Sequence, residues 1–359
     1  MNRKRSIESI TALLLSFLLL FQTNVISATI GTVSEDETAG VEVPAAVSGN
    51  RPSESPANPI HHCNKESATK DTTTWSYVYF GSYPQSEVTD SAVIAVIDKA
   101  ISKYGTIADT GVDVWVNGIK YRRISKNDTD YNGYFDDVSN NGYRYFKWER
   151  IKWRILQNDG STLFVVADKA IDCKEYHEEW TGSTWENSTI RDWLNTSFYN
   201  TAFSSSEQGA IVTQNVVNED NSYHDVEGGN HTNDNIYLLS NNEVTNEIYG
   251  FCSCSVESMS RRMKASDYAN ARGAWRNSMS GYEGNCWWWL RSPGGGSVFA
   301  AYVDYGGVVY RFGDAVNVCS CSGGVCPALY INLSSDIWLM KDDGIIPTVE
   351  SHYRDKSQD

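Results

Sequence analysis

Eight cysteines, six histidines and one run of alternating acids are the groups in this 359-residue chain whose types could do chemistry. The histidines, His61, His62, His177, His224, His231 and His352, are scattered, and none falls in the HExxH pattern of a zinc protease. No GxSxG turn offers a serine nucleophile. Cys173 and His177 stand four apart but lack the third group that would orient such a pair. No catalytic residue is therefore expected. The cysteines are Cys63, Cys173, Cys252, Cys254, Cys286, Cys319, Cys321 and Cys326. Six of them fall between Cys252 and Cys326, where glycine-rich loops dominate, and two pairs have Cys-x-Cys spacing. That gap is shorter than structural zinc sites use, so disulfides are the leading expectation, with connectivity left open.

In NDTDYNGYFDD, Asp128, Asp130, Asn132 and Asp136 take alternate positions of a calcium-loop pattern around the turn-forming Gly133. The last ligand position falls on Ser139 where a bidentate Glu belongs, so a polar hairpin loop is the leading reading and calcium the one cofactor candidate. Aromatic residues offer the other chemistry, with 12 Trp and 21 Tyr in the chain. In CWWWLRSPGGG, Cys286 to Gly296, a strand would turn Trp287 and Trp289 to one side and Trp288 to the other. At least one ring then enters the core, and packing is the leading reading of the run. The ligand reading sets one exposed Trp, with Tyr302 or Tyr310 nearby, as a flat platform for a sugar or peptide, and Arg291 as a holder of a carboxylate. The candidate ligand-binding residues are thus Trp287, Trp288, Arg291, Tyr302 and Tyr310.

These residues sit among short runs rich in Val, Ile, Tyr, Phe and Trp. The segments 74–81, 112–124, 144–156 and 162–168 favour strands, as do AIVTQNVV, NIYLLS, WWWLRS, VFAAYVDY, GVVYRF and ALYINL later on. Two helices stand out. One runs through SAVIAVIDKAISKY and stops at Gly105. The other, Thr189 to Tyr199, places Ile190, Trp193, Leu194 and Phe198 on one face, with Asn187 or Ser188 as cap. Strands and helices do not alternate, which excludes a doubly wound sheet and predicts an irregular α+β domain, a mixed sheet with few helices and long loops. The polar stretch from Val217 to Asp234 is expected to be a surface loop.

The formal charge of -15 argues against a nucleic-acid partner, since phosphate binding needs clustered cations. Residues 1–28 carry three basic groups, the twelve-residue apolar run Ile10 to Phe21 and a small-residue end at Ala28, the order of a secretory signal peptide. That run is too short to span a membrane. Cleavage would remove three basic groups and one acid, leaving -17. Residues 29–74, rich in Ser, Thr, Glu and Pro, read as a flexible linker, 75–337 as a single folded domain and 338–359 as a tail.

The segments GSYPQ, IKWRIL, STWENSTIRDWLNTSFYNTAF, IYLLSNNEV, WWLRSPG and GVCPALYINL, in that order, resemble a domain of unknown function found in secreted proteins of gut Firmicutes. The family shows Arg in its final GVRPAL motif where this chain has Cys326, a departure that points to a disulfide from Cys326 to Cys286 or Cys319. More distantly, the Trp-rich strand, glycine loop and closing strand are similar to C-type-lectin-like domains, including the formylglycine-generating enzymes. The resemblance implies a C-type-lectin-like scaffold; the export signal, the aromatic excess, the long polar loops and the lack of a catalytic constellation lead to the expectation of a secreted or cell-surface bacterial module that binds carbohydrate or protein. Its alternatives are an extracellular copper and thiol oxidase using Cys286 and Cys326, or a structural spacer of a surface assembly.

Overall fold

The computed structural model describes residues 56–62, 71–128, 142–316 and 323–334, and the backbone of 339–340. The signal segment 1–28, most of the expected linker and most of the tail lie outside the described residues, although Leu339–Met340 of the tail pairs with Tyr77–Glu87. Asp130, Asn132 and Asp136 also lie outside them; Asp128 is described, and its carboxylate accepts from the backbone N–H and hydroxyl of Ser125 at 2.7 Å. Among the described residues no group of three or more His, Cys, Asp or Glu is arranged to hold a metal, and no helix is long and apolar enough to cross a membrane.

The architecture is mixed α+β, mostly strands in several sheets. The largest sheet is antiparallel and built on the 16-residue strand Tyr143–Asn158. Tyr77–Glu87 pairs along one side of it, while Ile119–Ser125 and Thr162–Ala167 share the other, and Ala328–Asn332 adds beyond Thr162–Ala167. Residues 112–124, read as one strand, are two: Val112–Val116 and Ile119–Ser125 fold back on each other at Asn117 and Gly118, both with positive φ. An Asn-Gly pair is the residue choice that such a turn requires. NIYLLS forms no strand; Tyr237 makes only an isolated bridge to Ala328.

The first helix, Ser91–Tyr104, is capped by Asp90, whose carboxylate accepts from Ala92 and Val93. Its buried Ile94 and Ile97 pack on Val114, Tyr121 and Tyr145. Gly105 ends it without a left-handed turn; a Cβ there would come within 2.7 Å of the Ile101 carbonyl. The second helix is not continuous. Thr189–Trp193 is α-helical with Ser188 as cap, Leu194–Phe198 widens to a π-turn and Tyr199–Ala202 resumes. Its four apolar residues are all buried as the spacing predicts.

Two polar segments are more ordered than their composition suggests. Ile60–His62 pairs with Thr72–Thr74 inside the expected linker, and the Thr73 hydroxyl donates to the Gly250 carbonyl at 2.7 Å. In the expected surface loop 217–234, Asn218, Asn221, Thr232 and Asp234 are buried. Asp234 accepts from the Trp185 indole, the Arg191 guanidinium and the Thr232 hydroxyl, so the cost of burying its charge is offset by three donors.

Five tryptophans are wholly internal, and each indole N–H finds an acceptor: Trp75 the Tyr249 carbonyl, Trp153 that of Phe80, Trp185 the Asp234 carboxylate, Trp288 the Arg261 carbonyl and Trp289 that of Lys174. A disulfide joins Cys252 to Cys254. Cys286 and Cys326 are buried and not joined to one another, contrary to one expected pairing, and Cys319 lies outside the described residues.

Candidate functional site

The CWWWLRSPGGG segment feeds a second, five-stranded sheet in the order Asp172–Cys173, Gly324–Val325, Trp288–Pro293, Phe299–Val303, Val309–Ala315. Trp288–Pro293 is buried at all six positions, because both faces of this sheet are covered there. The last two strands form a hairpin whose turn is held by Asp304, its carboxylate accepting from Gly306 and Val308 at 2.8 Å. The register puts Tyr302 directly opposite Tyr310.

Their rings stack face to face, centroids 4.9 Å apart and 7° from parallel. Trp287 packs on the other side of Tyr302 at 5.2 Å and meets Trp289 edge-on. Trp287, Tyr302 and Tyr310 therefore come together, as a row of upright rings that starts just before the strand Trp288–Pro293 and crosses the next two strands, rather than the flat platform expected. Cross-strand pairs on one face approach closely enough for aromatic rings to meet in this way. Tyr302 is enclosed between its neighbours, and burial pushes its phenol up to about 12, with Asp314 and Tyr310 adding to the effect. It stays a neutral hydrogen-bond donor at physiological pH. Tyr310, on the edge strand, is 43% exposed and presents the outer ring of the row. Two residues along, Phe312 is also exposed and continues the surface to Phe299 and His224, and Phe299 meets the exposed Trp180.

Three backbone groups of the edge strand already have partners outside the sheet. Asn221 donates its side-chain amide to the Arg311 carbonyl at 2.7 Å and also to Pro293 and Gly294. Gly295 N–H donates to the Phe312 carbonyl and Val309 N–H to that of Ser255. The glycine loop is needed for this approach: a Cβ on Gly294 would lie 2.4 Å from the Phe312 carbonyl, and one on Gly295 2.3 Å from the Phe312 ring.

Trp288 does not join the row. It has no exposed surface and belongs to the core, which corrects its reading as a ligand residue. Arg291 also stands apart, buried in an ion pair with Glu243. The copper and thiol chemistry implied by the resemblance needs Cys286 and Cys326 as reachable thiolates. Burial instead pushes the Cys286 thiol up to about 12, and burial together with the nearby Cys286 lifts that of Cys326 well above its ordinary range. In the native protein both thiols are expected to react with a disulfide reagent such as DTNB at least about 100-fold slower than after denaturation, because reaction needs opening of the core. Fast labelling of both in the folded state would contradict this burial.

Residues 159–333 match the family model described as "Domain of unknown function (DUF6273)". The matched stretch includes the whole aromatic row and its supporting loop, and excludes the strands from Tyr77 to Ser125. No curated protein and no solved structure matches the chain.

Proposed function

We propose that this chain is a secreted or cell-surface bacterial binding module, on a C-type-lectin-like scaffold, that holds carbohydrate against Tyr310 with Tyr302 and Trp287 stacked behind it. The observation that carries the proposal is an exposed aromatic ring at the end of a rigid row, on a strand whose backbone is already partly bonded. A pyranose has one face of C–H groups and a rim of hydroxyls. The C–H face packs on an aromatic ring, and the phenol and neighbouring polar groups bond the rim. Exposed aromatic patches of this kind mark binding surfaces.

The partly bonded edge argues against the protein-ligand alternative in its commonest form. A peptide adding as a further strand would need free N–H and C=O groups along Val309–Ala315, where Asn221, Gly295 and Ser255 already bond. The basic, apolar and small-residue order of residues 1–28 supports export.

Affinity electrophoresis of the chain beginning at Thr29, through gels containing soluble bacterial and plant polysaccharides, tests the reading. Retardation by at least one neutral polysaccharide is expected. Unchanged mobility in all of them, with retention on a peptide library instead, overturns it.

A further inference from the structure

A cleft of about 290 Å³ opens where the closing strand, the strand Gln214–Val216 and the turn Glu243–Thr245 meet, and none of Trp287, Tyr302 or Tyr310 lines it. It lies near the lower end of ligand-pocket sizes, roughly 300–1,000 Å³, which limits an occupant to about one sugar ring or one amino acid. Its aromatic wall is built on Phe164. Tyr330 stacks on that ring at 4.6 Å and 7°, and Tyr249 meets it edge-on at 5.2 Å, so the tyrosines that line the cleft are fixed from behind.

Arg291 closes the inner end. Its guanidinium donates to the Glu243 carboxylate through both terminal nitrogens, to the Leu238 carbonyl at 2.9 Å and to the Val217 carbonyl at 3.2 Å. Glu243 is held in turn by the Ser240 N–H at 2.8 Å. The Arg291 Nε is buried and has no hydrogen-bond partner among the described residues. A donor left unmet in this position is costly unless a ligand or water meets it. The arginine charge is cancelled by Glu243, and Glu219 at the rim adds a carboxylate bonded to the Asn242 amide. An anionic occupant is therefore disfavoured, which excludes phosphate, uronic acids and acidic peptides. Gln214, also on the lining, makes no side-chain hydrogen bond to any of the described residues and is available to an occupant.

We infer that this cleft is a second binding site, for one neutral monosaccharide unit, with a ring face against tyrosine and hydroxyls bonded by Gln214, Asn242 and the Arg291–Glu243 pair. The site stands on its own residues and survives failure of the Tyr310 site, because the two share no side chain. It would accept a free sugar or the terminal unit of a chain, and the experiment separates these sources.

Titrate the mature chain with glucose, galactose, mannose and N-acetylglucosamine by isothermal calorimetry, and with the corresponding disaccharides blocked at one end or the other. At least one monosaccharide is expected to bind, with affinity weakened about tenfold by Gln214→Ala and again by Asn242→Ala, the loss of one ligand hydrogen bond each. Both side chains lie at the surface of the cleft, so folding is checked by an unchanged circular dichroism spectrum. The Tyr310→Ala variant is expected to keep this binding. A free-sugar site binds monosaccharide better than disaccharide; a chain-end site binds the two alike and rejects a block at one end only. Absence of binding at tens of millimolar of every sugar, binding insensitive to both cleft variants, or monosaccharide binding lost in Tyr310→Ala overturns the inference.

Discussion

Arg261→Met is expected to lower the free energy of unfolding by ~3–5 kcal/mol, one of the largest single-residue losses in the chain. Arg261 has no exposed surface, and its guanidinium bonds only carbonyl oxygens: Gly307 and Cys252 at 2.7 Å, Val244 at 3.5 Å, and Val256. With no carboxylate in contact, burial pulls its pKa down to about 10 despite Asp71 and Asp304 at longer range. Methionine fills much of the space but leaves three buried acceptors and the part-buried Val256 carbonyl without this donor, and an orphaned buried polar group costs about 1–3 kcal/mol. The losses are not additive, because the loops can relax toward water. Arg261 also fixes the function proposed above, since Gly307 is in the turn that leads into the strand carrying Tyr310. Urea unfolding followed by tryptophan fluorescence gives the value. Arg261→Lys should recover only part of the loss, since an ammonium cannot reach four carbonyls spread over a guanidinium fork. Wild-type stability in Arg261→Met would show that those carbonyls find water without cost.

Trp288→Ala is expected to cost ~3–5 kcal/mol as well, while Trp287→Ala, one residue away, should cost less than half as much. Trp288 is wholly buried and its indole donates to the Arg261 carbonyl at 3.1 Å, so truncation opens a cavity and leaves that carbonyl unmet. Trp287 is only partly buried, packed on Tyr302 and over Gly323, where a Cβ would touch the indole at 2.5 Å. The two unfolding midpoints in urea separate the roles. Equal losses would place Trp287 in the core and remove it from the binding row.

Local rules made several elements legible in the sequence. Gly105 ends the first helix, Ser188 is the one of the two expected caps that starts the second, and the alternation of a strand divides Trp288 from Trp287. The Asn117–Gly118 turn carries a local signal as well, but the residues flanking it favour strand on both sides, so the run reads as one strand. Other features rest on partners distant in the chain. Asn221 looks like one polar residue in a loop until it meets Pro293, Gly294 and Arg311. Arg291 and Glu243 stand 48 residues apart, so neither the ion pair nor the cleft beside it carries a sequence signal. The flat platform failed for a related reason. Composition supplies rings, but only register decides whether neighbouring rings lie flat or stack upright.

The most direct test of carbohydrate binding at the edge of the five-stranded sheet is calorimetric titration of the mature chain and its Tyr310→Ala variant with the polysaccharide that retards the native protein most. Tyr310 is exposed and its removal leaves the core intact, so the variant should unfold within about 0.5 kcal/mol of wild type. Its affinity for the polymer should fall at least about tenfold, as loss of one stacking ring predicts. Equal affinity in the two proteins would contradict binding at Tyr310.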